Sequence, residues 1–430
     1  MSSMPPGEKP PITHGDVLEL SLRSSSLLFA NGETTERTLA AGQRVAGAFG
    51  ERATGMARWD GVGVRLAGSA GPLHDFSAAA PTAIDMNKVL GGEKVVDAIA
   101  AGRLSPEAAR AALEKIAASP PLSLGRFVFA SAIGAAALAV IFGAREPTTL
   151  PLVALSGGAG ALVRRWLARA SPGLIVQPFS AALLAGAIAG LAHRLGLISA
   201  LGLAALCPCL LLVPGPHLLN GLLDVARTRV ALGCARIAFA GVLISAICTG
   251  VLLGLWLLGA SLPISPPARS IPLALDLVAA GFAVSAYGSF YSLPWRYLPL
   301  PIGAGVVAHG IHWLVQGLGA SGHAATFAAC LFVGIAMRQL ARRLRLPFAA
   351  MSFAAVVAMM PGVILIRMAA GMLQLAQLGE KAPMGLVSAV VTDATTALFV
   401  LLAMGFGLVV PTLWLRPASA RAPELANCLH

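Results

Sequence analysis

Charged residues are scarce in this sequence. Asp, Glu, Lys and Arg together make up 12% of its 430 residues, whereas a typical soluble protein contains about 25%. Acidic residues are rarest after position 126, where the chain holds only Glu146, Asp224, Asp276, Glu380, Asp393 and Glu424. Because 57% of the residues are hydrophobic, this shortage of charge excludes an ordinary soluble protein and predicts an integral membrane protein.

The sequence also lacks the patterns of metal, redox and catalytic sites. No two of its six cysteines have the two-residue separation that zinc and redox motifs use, so Cys207 and Cys209 are expected to be small buried apolar residues. No glycine-rich phosphate loop, metal cluster or nucleophile triad is evident, which predicts neither an enzyme nor a bound cofactor or metal. The first twenty residues lack an apolar core, so we expect no secretory signal peptide.

The net positive charge is confined to the apolar part of the chain. Residues 1–126 contain thirteen basic and thirteen acidic residues, so the whole net charge of +12 lies in residues 127–430. Arginines that alternate with long apolar runs are typical of anchors beside lipid headgroups. No cluster of basic and aromatic residues indicates a nucleic-acid surface, so the expected large partner is a lipid bilayer.

Residues 1–126 predict a small cytosolic α+β region. Helices are expected over 16–30 and 33–49, joined by the turn pair Asn31-Gly32, and over 86–101. A further helix is expected after Ser105-Pro106-Glu107, which supplies an N-cap, a first-turn proline and an acid at the positive helix end. The alternating stretches around Trp59-Asp60-Gly61 predict a β-hairpin.

Ten apolar segments of membrane-spanning length follow. Their approximate ranges are 127–143, 149–163, 174–193, 196–213, 231–259, 271–291, 298–317, 323–338, 347–366 and 385–411. We therefore expect an all-α membrane protein. Residues 127–262 hold the first five helices, residues 263–415 hold the second five, and residues 416–430 form a cytosolic tail.

Arginine placement predicts the orientation of these spans. With a cytosolic N-terminus, the inner loops and the tail carry thirteen basic residues and the outer loops carry five. Since positive residues concentrate on the cytosolic side, both termini are expected in the cytosol. The inner set is Arg164, Arg165, Arg169, Arg227, Arg229, Arg236, Arg296, Arg338, Arg342, Arg343, Arg345, Arg416 and Arg421, and the outer set is Arg145, Arg194, Arg269, Arg367 and Lys381.

Two apolar runs are interrupted in the same way, at Pro214-Gly215 and at Pro361-Gly362. Proline removes a backbone donor, and glycine beside it accepts unusual dihedral angles. Each pair either ends a helix at the headgroups or breaks a helix at membrane depth. Paired breaks in the two halves of a membrane protein indicate the substrate site of a transporter.

The two interruptions are 147 residues apart, and this offset also superimposes several apolar segments. It carries the first, third and fourth spans onto the sixth, eighth and ninth. Because each half then contains five spans, an odd number, the second half must enter the membrane from the opposite side. The pattern predicts two inverted five-helix repeats, which many secondary transporters contain.

Several motifs resemble the bacterial threonine/serine exporter family. In the first half they are Leu27-Leu-Phe-Ala-Asn-Gly-Glu33, Leu211-Leu-Val-Pro-Gly-Pro-His-Leu-Leu-Asn220-Gly-Leu-Leu-Asp224 and Gly233-Cys-Ala-Arg236. The second half resembles the companion domain of that family through Ala325-Thr326-Phe327-Ala328-Ala329, Arg342-Arg343-Leu-Arg-Leu-Pro347 and Met360-Pro361-Gly362. The resemblance extends over roughly residues 16–411, and Pro216-His217 after the first break departs from it.

The resemblance implies a multi-pass protein of the bacterial plasma membrane that exports threonine and serine with the proton gradient. The two halves of such proteins occur fused, as here, or as separate partners. The split relatives are associated with export of dicarboxylates such as succinate. Accordingly, the expected ligands are threonine, serine or a dicarboxylate together with protons, and a homo-oligomer is a possible assembly.

Substrate-binding candidates lie at and after the breaks: Pro214, Gly215, Asn220, Asp224, Pro361, Gly362 and Arg367. Asn220 either binds substrate through its amide or caps a short helix. Asp224 either binds a substrate amine or pairs with Arg227 and Arg229 near the cytosol. Arg367, the equivalent of Asn220 in the second half, either clamps a carboxylate or extends to the membrane surface.

Proton-coupling candidates are Asp393, His309 and His312. Ionisable residues inside a membrane are costly and therefore indicate function. Asp393 lies in the tenth span beside threonines, or near the outer interface if the helix starts later. His309 and His312 are one helical turn apart and could relay protons, and a metal site there lacks an evident third ligand. Asp276 is expected at the outer interface.

The favoured function is a proton-coupled exporter of small hydroxy amino acids. A dicarboxylate exporter is the alternative, which extra positive charge in the cavity, with Arg367 inside it, would favour. A channel or membrane scaffold is a third possibility, but neither requires broken helices or protonatable residues at membrane depth.

Overall fold

A computed structural model describes residues 12–68, 71–144, 146–170, 173–262, 271–344 and 346–414. The chain separates into two compact units, Met1–Pro120 and Pro121–His430. Five arginines used to predict the orientation of the spans, and the expected tail 416–430, lie outside the described residues. These arginines are Arg145, Arg269, Arg345, Arg416 and Arg421.

Four helices of the N-terminal unit form where the sequence predicts them. They are α1 (His14–Ala30), α2 (Thr35–Ala48), α3 (Met86–Ala100) and α4 (Pro106–Ala117). The Ser105 side chain accepts a hydrogen bond from the Ala108 N–H and caps α4. Gly32 has φ +95° between α1 and α2, a conformation that glycine adopts without steric cost.

Three antiparallel strands pack against α1 and α2. They are β1 (Ala53–Arg58), β2 (Gly61–Gly68) and β3 (Gly71–Ala78), with β2 in the centre. Alternate side chains of β2, including Val64 and Leu66, are buried against α1, as expected for a sheet with one packed face. The predicted β-hairpin is confirmed, and β3 extends it to a meander.

The regular secondary structure in the described part of the membrane unit is helical. Its helices are α5 (Leu124–Ile141), α6 (Thr149–Ala170), α7 (Val176–Arg194), α8 (Leu201–Leu210), α9 (Gly215–Ala226), α10 (Val230–Leu257), α11 (Leu273–Phe290), α12 (Pro299–Gly317), α13 (Gly322–Leu344), α14 (Phe348–Val357), α15 (Gly362–Leu378) and α16 (Met384–Trp414). Two short 3-10 helices, Trp295–Tyr297 and Gly379–Lys381, precede α12 and α16.

Eight helices of the described chain are long and apolar enough to cross a membrane, and the bent pair α8 and α9 raises the number to nine. This number is lower than the ten predicted. The one predicted span without a counterpart is 149–163, because Arg164 and Arg165 lower the mean hydropathy of α6. The expected ninth span, 347–366, contains the gap between α14 and α15.

Glycines allow several of these helices to approach closely. A Cβ on Gly254 of α10 would lie 2.2 Å from the Leu183 carbonyl oxygen of α7. A Cβ on Gly407 of α16 would lie 2.7 Å from Cys330 Cβ of α13. Such backbone contacts are typical of packing between membrane helices.

Candidate functional site

The two Pro-Gly pairs have nearly the same backbone geometry. Pro214 (φ −79°, ψ 61°) precedes α9, and Pro361 (φ −78°, ψ 42°) precedes α15. In each case the glycine N–H donates to a carbonyl two residues earlier, Val213 or Met360, at 2.8 Å. These are inverse γ-turns, and α8 and α9 are bent by 62° across the first. At each pair one helix therefore ends and the next begins within a few residues.

Each break packs against the helix end beside the other break. A Cβ on Gly215 would lie 2.7 Å from Met360 Sδ and 3.1 Å from Val357 Cγ2. A Cβ on Gly362 would lie 2.7 Å from Leu210 Cδ2. The positions 210 and 357 differ by the same 147 residues as the two glycines. The contact is thus reciprocal, and a larger residue at either glycine would require the Met360 or Leu210 side chain to move.

A cavity of about 810 Å³ leads to the second break. Its mouth includes Gln316, Gly317 and His323, which are exposed at the turn between α12 and α13. Met360 and Pro361 at its base are buried. The other lining residues are Ile141, Phe142, Ile271, Asp276, His309, His312, Trp313, Gly322, Thr326, Ala358, Met359, Val363, Ile364, Thr396 and Val400. We refer to this space as the open cavity.

A carboxylate and an imidazole meet in the wall of the open cavity. Asp276 Oδ2 of α11 lies 3.3 Å from His309 Nδ1 of α12, and both residues are buried. His312 lies one turn further along α12 and also lines the cavity. The two predicted proton-coupling histidines therefore share one site, and Asp276 belongs to it and not to an exposed interface.

The described lining of the open cavity contains an acidic side chain but no lysine or arginine. Asp276 is its acidic member, and none of the described lining residues is a lysine or an arginine. Hydroxyl groups come from Thr326 on α13 and Thr396 on α16. Among the described residues no group of three His, Cys, Asp or Glu side chains is arranged to hold a metal ion.

Arg367 and Asp393 form an ion pair outside the cavity lining. Arg367 Nη2 of α15 lies 3.2 Å from Asp393 Oδ2 of α16, and both side chains are largely buried. The pair joins the two helices that follow the second break. A buried charge with an opposite partner is tolerated inside a membrane, so this contact neutralises two of the predicted site residues.

A second ion pair follows the first break. Asp224 Oδ2 at the end of α9 lies 3.1 Å from Arg236 Nε of α10, and its other oxygen lies 3.6 Å from Arg229. Asp224 and Arg236 are 2% and 1% exposed, and Asn220 is buried one turn before Asp224. The charge on Asp224 is therefore compensated by protein, mainly through Arg236.

Sequence reasoning missed part of the polar lining of the open cavity. Asp276 and His309 are 33 residues apart, and no local pattern links them. His323 and Thr326 lie one turn apart at the start of α13. The histidine among small residues was the sequence feature that could have indicated a polar site there. Pro361 lines the cavity, whereas Pro214 and Gly215 reach it only through the contact between Gly215 and Met360.

Comparison with models of known protein families assigns the chain to a family. A model of the threonine/serine exporter family, ThrE, matches residues 19–258, and a second model, described as Threonine/Serine exporter, ThrE, matches residues 276–414. Together the matches extend over most of the 430 residues. The chain belongs to the threonine/serine exporter family. No solved structure matches the chain.

The two family matches divide this threonine/serine exporter-family protein between α10 and α11. The first match ends beside the last residue of α10, and the second begins at Asp276 in α11. Each match therefore includes one helix break. The protein is a multi-pass membrane transporter of the exporter type, and its family is not a class of enzymes.

Proposed function

We propose that this protein exports threonine and serine across the bacterial plasma membrane in exchange for protons. The observation that carries the proposal is the open cavity, where Asp276 lies beside His309 and the described lining contains no lysine or arginine. Buried ionisable residues that face a cavity in a membrane protein are typical of substrate and proton pathways.

The lining groups match a zwitterion with a hydroxyl group. Asp276 supplies a carboxylate for the ammonium group of the substrate. The positive end of the α15 helix begins at Gly362, at the base of the cavity, and attracts a carboxylate. The hydroxyl groups of Thr326 and Thr396 line the same space and supply partners for the hydroxyl of serine or threonine.

A dicarboxylate fits this lining less well. Two negative charges would require cationic side chains, and the described lining residues include none apart from protonated histidine. Arg367, the arginine suggested for that role, is paired with Asp393 at 3.2 Å and does not line the cavity. We therefore favour amino acids over succinate-like substrates.

Proton coupling follows because protonated His309 and the ammonium group of the substrate compete for the Asp276 carboxylate. When His309 is protonated, its charge neutralises the Asp276 carboxylate 3.3 Å away and weakens binding of the substrate ammonium group. When the proton leaves, Asp276 again attracts the ammonium group. Proton entry thus favours substrate release on the side of the open cavity, and His312 provides a second site for the proton. Asp393 is the further candidate for this role.

We also propose ten spans in two inverted repeats, with both termini in the cytosol. The helices α8 and α14 both have ten residues, and their bounds differ by 147 residues at either end. The reciprocal contact between the two breaks supports the same repeat. Under this topology the open cavity faces the outside of the cell.

Transport by the purified protein in liposomes tests the proposal. We expect counterflow of labelled serine and threonine, stimulation by a proton gradient and no competition from succinate. Asp276→Asn should abolish serine counterflow because it removes the carboxylate with little change in shape. The matched control is Glu380→Gln, which removes an exposed carboxylate outside the cavity. Normal serine counterflow by Asp276→Asn, or succinate transport by the wild type, would contradict the proposal.

A further inference from the structure

A second, nearly closed cavity lies in the first half of the membrane unit. Its volume is about 10 Å³, which is roughly the space of one water molecule. It is lined by Ser131, Ser156, Gly157, Gly160, Ala161, Arg164, Ala181, Pro208, Leu211, Leu212 and Phe290. We refer to it as the closed cavity, and it differs from the open cavity about eightyfold in volume.

The closed cavity is the repeat-related counterpart of the open cavity. Its walls include residues of α5, α6, α7, α8 and the first break. Those of the open cavity include the corresponding α11, α12, α13 and second break, and in addition α15 and α16. At the breaks, Leu211 and Leu212 correspond to Ala358 and Met359 at the 147-residue offset. Each cavity is also bordered by the end of the first helix of the other half, through Phe290 or Phe142.

Two buried polar atoms of the closed cavity, Ser156 Oγ and Arg164 Nε, lack hydrogen-bond partners. Ser156 is 1% exposed, and its Oγ makes no hydrogen bond; the Nε of Arg164 is also buried without one. The Arg164 guanidinium lies over the ring of Phe290 at 4.8 Å and near the ring of Phe127 at 5.5 Å. Unsatisfied buried donors are costly, so both atoms are available to a hydrogen-bonding partner that enters the cavity.

Closely packed small residues keep this cavity narrow. A Cβ on Gly157 of α6 would lie 2.7 Å from the Ser131 carbonyl oxygen of α5. A Cβ on Gly160 would lie 3.5 Å from Ala181 Cβ of α7. At the same face of the unit, Arg126 donates to the Leu293 carbonyl at 2.5 Å and to Ser289 Oγ at 3.2 Å. These contacts hold α5 and α6 against the end of α11.

We propose that the closed cavity opens in the opposite-facing state and that Arg164 then binds the carboxylate of the entering amino acid. This inference rests on the proposed function. Opening separates Arg164 from Phe290, so the guanidinium and the Ser156 hydroxyl become available to a ligand. A guanidinium binds a carboxylate through paired charge-assisted hydrogen bonds. The substrate therefore enters beside an arginine and leaves beside the Asp276–His309 pair.

Cysteine accessibility tests the opening. Ser156→Cys and Thr326→Cys, one for each cavity, are placed in a background without other cysteines and reconstituted in liposomes. We expect Ser156→Cys to react slowly with a maleimide at rest and at least several-fold faster during serine exchange. Thr326→Cys should change in the opposite direction. If Ser156→Cys stays unreactive while serine exchange proceeds, the closed cavity is only a packing gap and the inference fails, whereas the proposed function stands.

Selectivity for the carboxylate tests Arg164. Arg164→Gln should raise the KM for serine loaded from that face about tenfold, as expected for the loss of a charge-assisted contact. It should also abolish the preference for serine over serine amide, which lacks the carboxylate. The matched control is Arg165→Gln, because Arg165 bonds to the Leu122 carbonyl and does not line the cavity. Unchanged selectivity in Arg164→Gln, or equal losses in both variants, would overturn the role of Arg164.

Discussion

Asp393 and Arg367 neutralise each other in the helices that follow the second break. Their charged atoms are 3.2 Å apart, and both side chains are largely buried. Removing one partner of such a pair leaves an uncompensated charge, which typically destabilises a protein by about 3–5 kcal/mol. The role of Asp393 in transport must therefore be separated from its role in folding.

We expect Asp393→Asn to lower the yield of folded protein and its export activity, because Arg367 is left without its partner. The double variant Arg367→Gln/Asp393→Asn removes both charges, so it should regain the folded yield. Gradient-driven serine export measured in liposomes then separates the two roles. If the double variant folds but builds no serine gradient, while serine counterflow persists, Asp393 carries the coupled proton. Normal serine export by the double variant would show that the Arg367–Asp393 pair stabilises the fold and does not carry the coupled proton.

Glu33 makes the stability of the N-terminal unit depend on pH. Its carboxyl group is fully buried and accepts a hydrogen bond from the Thr34 N–H at 2.7 Å. Burial raises the pKa of Glu33 to about 7, and the neighbouring Glu93 adds to the effect while Arg37 opposes it. The folded unit therefore holds a proton that the unfolded chain has lost.

We expect the unfolding free energy of this unit to fall by about 2–3 kcal/mol as the pH rises from about 4.5 to 7. The sign follows because the folded pKa lies above that of the unfolded chain. Hydrogen exchange of α2 and α3 in the full-length protein, corrected for intrinsic rates, measures the change. In Glu33→Gln the slope should disappear. If Glu33→Gln leaves the pH dependence of the unfolding free energy unchanged, other titratable groups cause that dependence.

At the scale of elements, the two helix breaks have the same backbone geometry. Both prolines have φ near −80°, and both glycines close a γ-turn with a 2.8 Å hydrogen bond. Gly215 contacts the residues before the second break, and Gly362 contacts the residues before the first break. The two breaks are therefore in direct contact, an arrangement suited to a carrier whose two halves exchange conformations.

We expect Pro361→Ala to weaken serine binding more than Pro214→Ala. Alanine restores a backbone donor and is favoured over proline in a helix by about 3 kcal/mol, so either change tends to join the two half-helices. Pro361 lines the open cavity, whereas Pro214 does not. Titration of serine into the purified variants measures the difference, with thermal unfolding as the check on folding. Equal losses would mean that both breaks contact the substrate directly.

Features governed by neighbouring residues could be read from the sequence. Asn31-Gly32, Ser105-Pro106 and the two Pro-Gly pairs act through local dihedral angles and caps, and each lies where it was predicted. The contacts that form the site could not be read in this way. Asp276 meets His309 and Arg367 meets Asp393 only after distant helices pack, because no sequence spacing encodes such pairs.

At the scale of the whole molecule, the orientation in the membrane decides which cavity faces the cell interior. The open cavity has a volume of about 810 Å³ and the closed cavity about 10 Å³, so in the proposed cycle one face is accessible and the other closed. Arginine placement predicts that the accessible face is outside. Export then requires loading at the closed cavity and release at the open one, so the proposed direction of transport depends on this orientation.

Cysteine labelling of intact cells tests the orientation. Ser321 lies exposed in the turn between α12 and α13, and Ala170 lies exposed at the end of α6. In a background without other cysteines, an impermeant maleimide added outside should label Ser321→Cys and leave Ala170→Cys unlabelled until the membrane is permeabilised. Both positions are exposed, so poor accessibility in the fold cannot account for a difference. Labelling of Ala170→Cys from outside would reverse the topology, and with it the face at which Arg164 receives the substrate.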